Sequence, residues 1–359
     1  MELTHTMRIA ISYITGLIGG LLFTFIHLPI PWILGPLLAI LLSKTFFNFK
    51  GESSLNLRNF AFSITGIQIG GTFTAATIDL VLPYLLPYSL LTIVLIAISL
   101  YNGYLLTKWI KVDVPTSMLG SVPGGLSVII ALSGSVNANT ALVTIFHTIR
   151  LMTVLFIIPF LATHLFTSSN TDTTIGLLTG DSATQGPLWT IVILAFVYGL
   201  GLLLQERIPA AFVIIPMLIV ASFQIIDYPL YHLPNYFFIF AQLSIGIYLG
   251  FSVSLKDIVK AGRYCGYYFA LTIILIAISF GLGYLFSLIT PVDLVTAILS
   301  LAPGGLIEMA LTAESVGGDP SIVGSLQMIR MLMIVLVLPF GLKVLLPKID
   351  KRKDKETDN

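Results

Sequence analysis

Residues 300–309 read Ser-Leu-Ala-Pro303-Gly304-Gly305-Leu-Ile-Glu308-Met, and Arg330 follows deep in an apolar run. Pro303 interrupts a helix and the two glycines let the backbone change direction. The flanks, by contrast, are almost continuous hydrocarbon. Glu308 and Arg330 are charges that are expensive at bilayer depth, where an ionisable side chain marks a functional position by default. Upstream, residues 121–126 read Ser-Val-Pro123-Gly124-Gly125-Leu, and Arg150 follows. The interval from Pro123 to Pro303 is the same, to the residue, as that from Arg150 to Arg330. The chain is organised around these two segments.

Of the 359 residues, 56% are hydrophobic and 10% charged, and the mean hydropathy is +0.98. A soluble domain carries about 25% charged residues, so this chain cannot build a water-compatible surface. The composition predicts an all-α polytopic membrane protein whose first partner is the lipid bilayer. A net charge of +1, with no basic block before the tail, argues against nucleic acid as a partner. Cys265 is the single cysteine and has no thiol with which to pair or build a metal site. The apolar run behind Met1–Arg8 carries no A-x-A cleavage signature, so residues 8–27 are expected to be a retained first span.

Runs long enough to span, about 20 residues each, fall near 8–27, 84–107, 139–165, 185–204, 264–289 and 320–346. Shorter or Gly/Pro-marked runs fall near 31–47, 57–75, 115–136, 208–224, 236–253 and 295–316. The run 31–47, short and carrying Pro36, is the weakest candidate span. The offset set by the two prolines holds throughout. Leu91–Ser99 recurs as Leu271–Ser279 with one change, Pro36 as Pro216, Gly66 and Gly70 as Gly246 and Gly250, and Asp113 as Asp293. Matches at one fixed spacing across two halves signal an internal duplication.

Charge then orients the copies, because short cytoplasmic loops are enriched in Lys and Arg. Arg8, Lys44, Lys50, Arg58, Lys108 and Lys111 put one set of loops inside, whereas residues 75–83 carry only Asp79. In the second half the pattern reverses: 254–263 carries Lys256, Lys260 and Arg263, and Asp293 stands without lysines. The reading is therefore two inverted repeats of about five spans, each with one re-entrant or broken Pro-Gly-Gly segment. Residues 1–165 form the N-terminal repeat, 166–184 an extracytoplasmic linker, 185–346 the inverted C-terminal repeat and 347–359 a charged cytoplasmic tail. Both termini are expected in the cytoplasm.

Candidate site residues follow from the tips. Pro123, Gly124, Gly125 and Ser127 in one copy, and Pro303, Gly304, Gly305 and Glu308 in the other, open helices whose free N–H groups and positive dipole ends suit an anionic or polar ligand. Packing kinks are the plainer alternative. Arg150 and Arg330, roughly ten residues into their spans and so about 15 Å deep, need a counter-charge, a carbonyl cluster or a substrate carboxylate. They can serve as substrate ligands or as pins on the broken backbone, and the two roles can coexist. His147 and Gln327 precede them by three residues and share their helix face. Glu308, whose counterpart is Val128, reads as a proton or sodium carrier or as the partner of an arginine. Glu314 and Asp319 are expected in a solvated loop. Gly66, Gly70, Gly246 and Gly250 form small-x-x-x-small patterns for helix packing, with Gln68 a polar lining candidate. No nucleotide loop, metal-ligand spacing or nucleophile elbow is present, so the sequence points to no cofactor, no metal and no enzymatic function.

The paired Pro-Gly-Gly-Leu segments with an Arg in each following span, and Pro31-Trp32-Ile33-Leu34-Gly35-Pro36 near the start, resemble the bacterial AbrB-duplication family. Its members are also labelled ammonia monooxygenases. The resemblance implies an inner-membrane transporter, distantly similar to the sodium/proton antiporter and bile-acid symporter superfamily. The oxygenase label finds no copper-binding histidine set here, and nothing reads as the DNA-binding module of the similarly named transcription regulator. The first tip reads Leu126-Ser127-Val128 without an acid, so any carboxylate role rests on the second copy. The expected function is secondary transport of a small anionic or zwitterionic solute by alternating access, coupled to H+ or Na+. A membrane-embedded regulator is the alternative and a membrane oxygenase the more remote one. Self-association into a homo-oligomer is compatible with either of the first two.

Overall fold

The computed structural model describes residues 4–338 except 48, 75–76, 78, 80, 111, 125–128, 130–132, 134–135, 137, 167–185, 209, 229, 232, 255–258, 260–261 and 336. The linker 166–184 beyond its first residue, and the tail 347–359, therefore lie outside the described residues. What is described is helical, with no strand among the described residues. In chain order the helices are α1 His5–Phe25, α2 Pro31–Phe46, α3 Leu55–Gly71, α4 Leu85–Leu106, α5 Val114–Ser121, α6 Thr140–Phe166, α7 Ile191–Leu204, α8 Ala211–Ile225, α9 Asn235–Ser252, α10 Arg263–Ile289, α11 Leu294–Leu301 and α12 Leu306–Val316. The last, α13, is Pro320–Val335.

Every apolar run read from the sequence holds at least one of these helices. Among the described residues five stretches, His5–Phe25, Leu82–Leu106, Thr140–Phe166, Asn235–Ser252 and Arg263–Ile289, are long and apolar enough to cross a bilayer. The chain is an all-α polytopic membrane protein. Polar residues inside these helices mostly turn back on their own backbone, as Thr65 does to Ala61 (3.0 Å) and Thr153 to Ile149 (2.8 Å). Such i−4 bonds satisfy a hydroxyl where no water is at hand.

The run 295–316 is not one helix. Asp293 opens α11 by accepting the Thr296 N–H at 3.0 Å, α11 ends at Leu301, and α12 starts after the glycines at Leu306. Asp113 caps α5 in the same way, at 2.9 Å from Thr116 N, and α5 stops at Ser121, just before Val122-Pro123. Eight residues rise about 12 Å and eleven about 16 Å, so none of these helices reaches across a core of about 30 Å.

The helices fall into two compact units, each drawing on both halves of the sequence. Unit 1 comprises residues 1–82, 156–256 and 307–324, and unit 2 comprises 83–155, 257–306 and 325–359.

In unit 1, α3 lies on α8 and α9 lies on α2. The glycines explain how closely. A Cβ on Gly66 would run into the Val213 carbonyl and come within 3.1 Å of the Val213 Cα. A Cβ on Gly246 would meet the equivalent Ile33 in the same way, also 3.1 Å from its Cα. Gly70 faces Met217 and Gly250 faces Leu37, again an equivalent pair. Each of these four glycines faces a helix of the other half. The short α2 is a complete helix despite Pro36, with Ile33, Leu37 and Ile40 fully buried. Both α2 and α8 start from a left-handed residue, Ile30 (φ 45°) and Ala210 (φ 53°). For a β-branched residue such as Ile30 that conformation is an outlier.

In unit 2 the short helices lie against the long ones. Ser99 and Ser121 exchange hydrogen bonds between α4 and α5 (2.6 and 2.8 Å). Gly103 admits Met118, and the equivalent Gly283 admits Ile298. Buried Tyr88 on α4 donates to the Ser300 carbonyl of α11 at 3.0 Å, while buried Tyr268 on α10 donates to Ser117 Oγ of α5 at 2.9 Å. Each long helix therefore holds the short helix of the opposite half as well as its own.

Candidate functional site

The breaks after α5 and α11 leave backbone carbonyls without helical partners, and such groups must be satisfied away from water. Arg150 reaches back from α6 and donates through Nη1 to the Val122 carbonyl and through Nη2 to the Gly124 carbonyl (3.0 Å for the latter). Arg330 reaches back from α13 to the Ala302 and Gly304 carbonyls. The acceptors repeat at the same interval as the arginines. A guanidinium offers a rigid planar fork, which suits two carbonyls diverging at a chain break.

His147 and Gln327 complete each pin. His147 Nε2 lies 3.0 Å from the Leu119 carbonyl. Gln327 Nε2 donates to Leu299 (2.9 Å), Ser300 (3.2 Å) and Ala302 (3.2 Å). With these bonds made, His147 Nδ1 and Gln327 Oε1 remain buried with no hydrogen-bond partner among the described residues. A carbonyl only accepts, so His147 Nε2 donates to Leu119 and Nδ1 is an acceptor, as Gln327 Oε1 is; each copy thus carries, among the described residues, one buried acceptor without a partner one turn before its arginine. Gly124 also packs on Ile334, since a Cβ there would come within 3.1 Å of the Ile334 side chain. The first break thus touches the helix that pins the second.

The structure therefore brings Pro123, Gly124, His147 and Arg150 together around one break, and Pro303, Gly304, Gln327 and Arg330 around the other. Of the two roles open to the arginines, the pin is the one observed. Gly125 and Ser127 lie outside the described residues. Gly305 leads into α12. Glu308, in the first turn of α12, belongs to unit 1 by its packing. Its position lets the helix N-terminus face the carboxylate favourably.

Of the two acidic residues expected in a solvated loop, Asp319 lies in the loop between α12 and α13 and Glu314 does not. Asp319 caps α13, accepting the Ser321 and Ile322 N–H groups at 2.8 and 3.1 Å. Glu314, on α12, is half-buried and takes both bonds of the Gln68 amide at 3.1 Å each. It lines a cavity of about 780 Å³ inside unit 1. A polar loop composition hid this, because Glu314 follows a helical apolar face that only tertiary packing turns inward. Tyr88 and Tyr268 were also missed. They occupy equivalent positions in the two copies, and that was the signal that could have singled them out.

Comparison with known proteins gives a family and two relatives. Residues 32–346 match the family described as "Transition state regulatory protein AbrB". A Bacillus subtilis (strain 168) protein named "Uncharacterized protein YhjN" is 26% identical over 359 aligned residues, covering 94% of this chain and 93% of that protein. An Escherichia coli (strain K12) protein named "Putative regulator AbrB" is 27% identical over 327 residues, covering 88% and 90%.

Proposed function

The chain belongs to the AbrB family, and from that premise and the paired backbone breaks we propose that it is a secondary transporter. In this reading a small anionic or zwitterionic solute moves by alternating access in the cytoplasmic membrane, coupled to H+ or Na+, and no catalytic step is involved. The observation that carries it is the repetition of one device: Arg150 on the Val122 and Gly124 carbonyls, Arg330 on those of Ala302 and Gly304. Interrupted helices survive at membrane depth only where protein or a water-filled cavity receives them, and paired interruptions are how transporters assemble a midplane site. A protein with no use for them would gain stability from unbroken helices.

The same reading makes the halves inverted repeats and the two Pro-Gly-Gly segments re-entrant. The lysine pattern supports this, placing both termini in the cytoplasm. His147 Nδ1 and Gln327 Oε1 give the interior two unfilled acceptors that a coupling cation or a solute N–H could complete. Glu308 is the proposed carrier of the coupling ion.

The test is solid-supported-membrane electrophysiology on proteoliposomes, with short carboxylates and amino acids applied under imposed proton or sodium gradients. Solute-evoked current in the wild type that disappears in Glu308→Gln, with the protein still folded and inserted, is the expected result. Current unaffected by Glu308→Gln removes the carboxylate from the coupling role, and the absence of any evoked current across both classes counts against transport.

The names printed for the family and for the Escherichia coli relative favour a second reading, a membrane-embedded regulator. Under it the charged tail from Lys348 to Asn359 engages a soluble partner. Deleting that tail would then abolish signalling, whereas it leaves a transporter's flux intact.

A further inference from the structure

We propose that the cavity in unit 1 is a binding site for a small organic ammonium, either an amine or the ammonium end of a zwitterion, with an apolar body. The site lies wholly within unit 1, so the proposal stands whether or not the breaks in unit 2 serve transport.

The cavity, about 780 Å³, is of the size that takes small-molecule ligands. Its apolar wall includes Trp32 and Leu230, and its polar groups include Gln68, Gln224, Gln242 and Glu314. Among the described lining residues Glu314 carries the one carboxylate, and none is a lysine or arginine. The one histidine among the described lining residues, His27, is exposed. Gln68 supplies the carboxylate with a neutral donor through one amide nitrogen. That bond orients Glu314 and leaves about half of its acceptor capacity free, with no cationic partner among the described residues.

Gln242 points to the same conclusion independently. It is 9% exposed, lines the cavity and makes no hydrogen bond among the described residues. Its amide opens onto the cavity without a hydrogen-bond partner among the described residues, a place that a ligand N–H or a bound water fills. An ammonium has three donors and no acceptor, so it matches a carboxylate and an amide oxygen together. A carboxylate ligand would meet Glu314 with like charge. A neutral solute of the same shape would leave that charge uncompensated. The indole of Trp32 adds a surface on which a cation or its alkyl stem gains further.

The site can be read through Trp32, because the chain has three tryptophans and the other two, Trp109 and Trp189, are 76% and 56% exposed. In full-length protein carrying Trp109→Phe and Trp189→Phe, purified in detergent, the emission of Trp32 is titrated with n-butylammonium, n-butyrate and n-butanol. We expect a saturable change with n-butylammonium alone. Glu314→Gln, which keeps the shape and the reach of Gln68, should weaken it at least tenfold, and Gln242→Leu severalfold. Thermal unfolding of each variant confirms that the fold is kept. Equal response to butyrate or butanol, an undiminished response in a folded Glu314→Gln variant, or no saturable response to n-butylammonium would each overturn the proposal. If Glu314→Gln does not fold, Gln242→Leu and Gln224→Leu provide the same test. A tenfold loss of solute-evoked current in Glu308→Gln with this titration unchanged would separate the two sites.

Discussion

Replacing Arg330 with alanine distinguishes a pin from a waiting ligand, because the two roles predict opposite signs. Arg330 is 4% exposed and donates to the Ala302 and Gly304 carbonyls. Hydrogen bonds involving a charged partner contribute about 1.5–3 kcal/mol each, so losing both in Arg330→Ala costs about 3–6 kcal/mol. In a membrane the unfolded reference state finds partners of its own, which lowers the expected loss to about 2–4 kcal/mol. Gln327 keeps one bond to the Ala302 carbonyl at 3.2 Å, so Gly304 is the group left bare. Lysine restores the charge but not the fork, and Arg330→Lys should recover about half. Were Arg330 held for a solute and bonded to nothing, its removal would relieve a buried charge and stabilise the solute-free protein. Reversible unfolding in mixed SDS and dodecylmaltoside micelles, followed by tryptophan emission, reads the difference. A change of less than about 0.5 kcal/mol, the range of a substitution that touches nothing important, or a gain in stability would refute the pin.

Three further outcomes follow from the same geometry. Gly66→Leu and Gly246→Leu should each destabilise by about 1–3 kcal/mol through overpacking, and by similar amounts, since the obstacles are the equivalent backbones of Val213 and Ile33; a tolerated leucine at one site alone, in the same micellar unfolding assay, would break the equivalence. Asp113→Ala and Asp293→Ala each remove a helix cap worth about 1 kcal/mol, seen as a lower midpoint in thermal circular dichroism. Alkaline phosphatase fused within 75–83 or 166–184 should be active, and fused within 105–113 or 254–263 inactive, because the lysine-rich loops stay inside; activity at both 75–83 and 254–263 would mean that the copies are parallel.

The duplication carried most of what the sequence could say about the breaks. Arg150, Arg330, His147 and Gln327 were legible because each copy vouches for the other, and their partners in the structure repeat at the same spacing. A lone arginine in an apolar run would have said only that it needed something. The alternation of hydrophobic and glycine residues located α3 and α9 but not their partners, since small-x-x-x-small marks a close approach and is silent about what approaches. The doubtful run 31–47 became α2 although Pro36 lies in the helix interior, because burial of Ile33, Leu37 and Ile40 offsets the bond that proline forfeits. The cavity was not legible at all. Gln68, Gln242 and Glu314 come from three distant segments, and Glu314 in sequence looks like the start of a polar turn.

The exchange of glycine contacts between halves has a consequence for how the protein is made. Gly66 is translated roughly 150 residues ahead of the Val213 backbone it packs against, an interval of about 7–30 s at ordinary elongation rates. Throughout that time the early helices stand in lipid with their grooves unoccupied. The nascent first half is thus an unfinished object, open to insertase or chaperone until its other half emerges, and two halves made as separate chains could rebuild the whole only by finding one another.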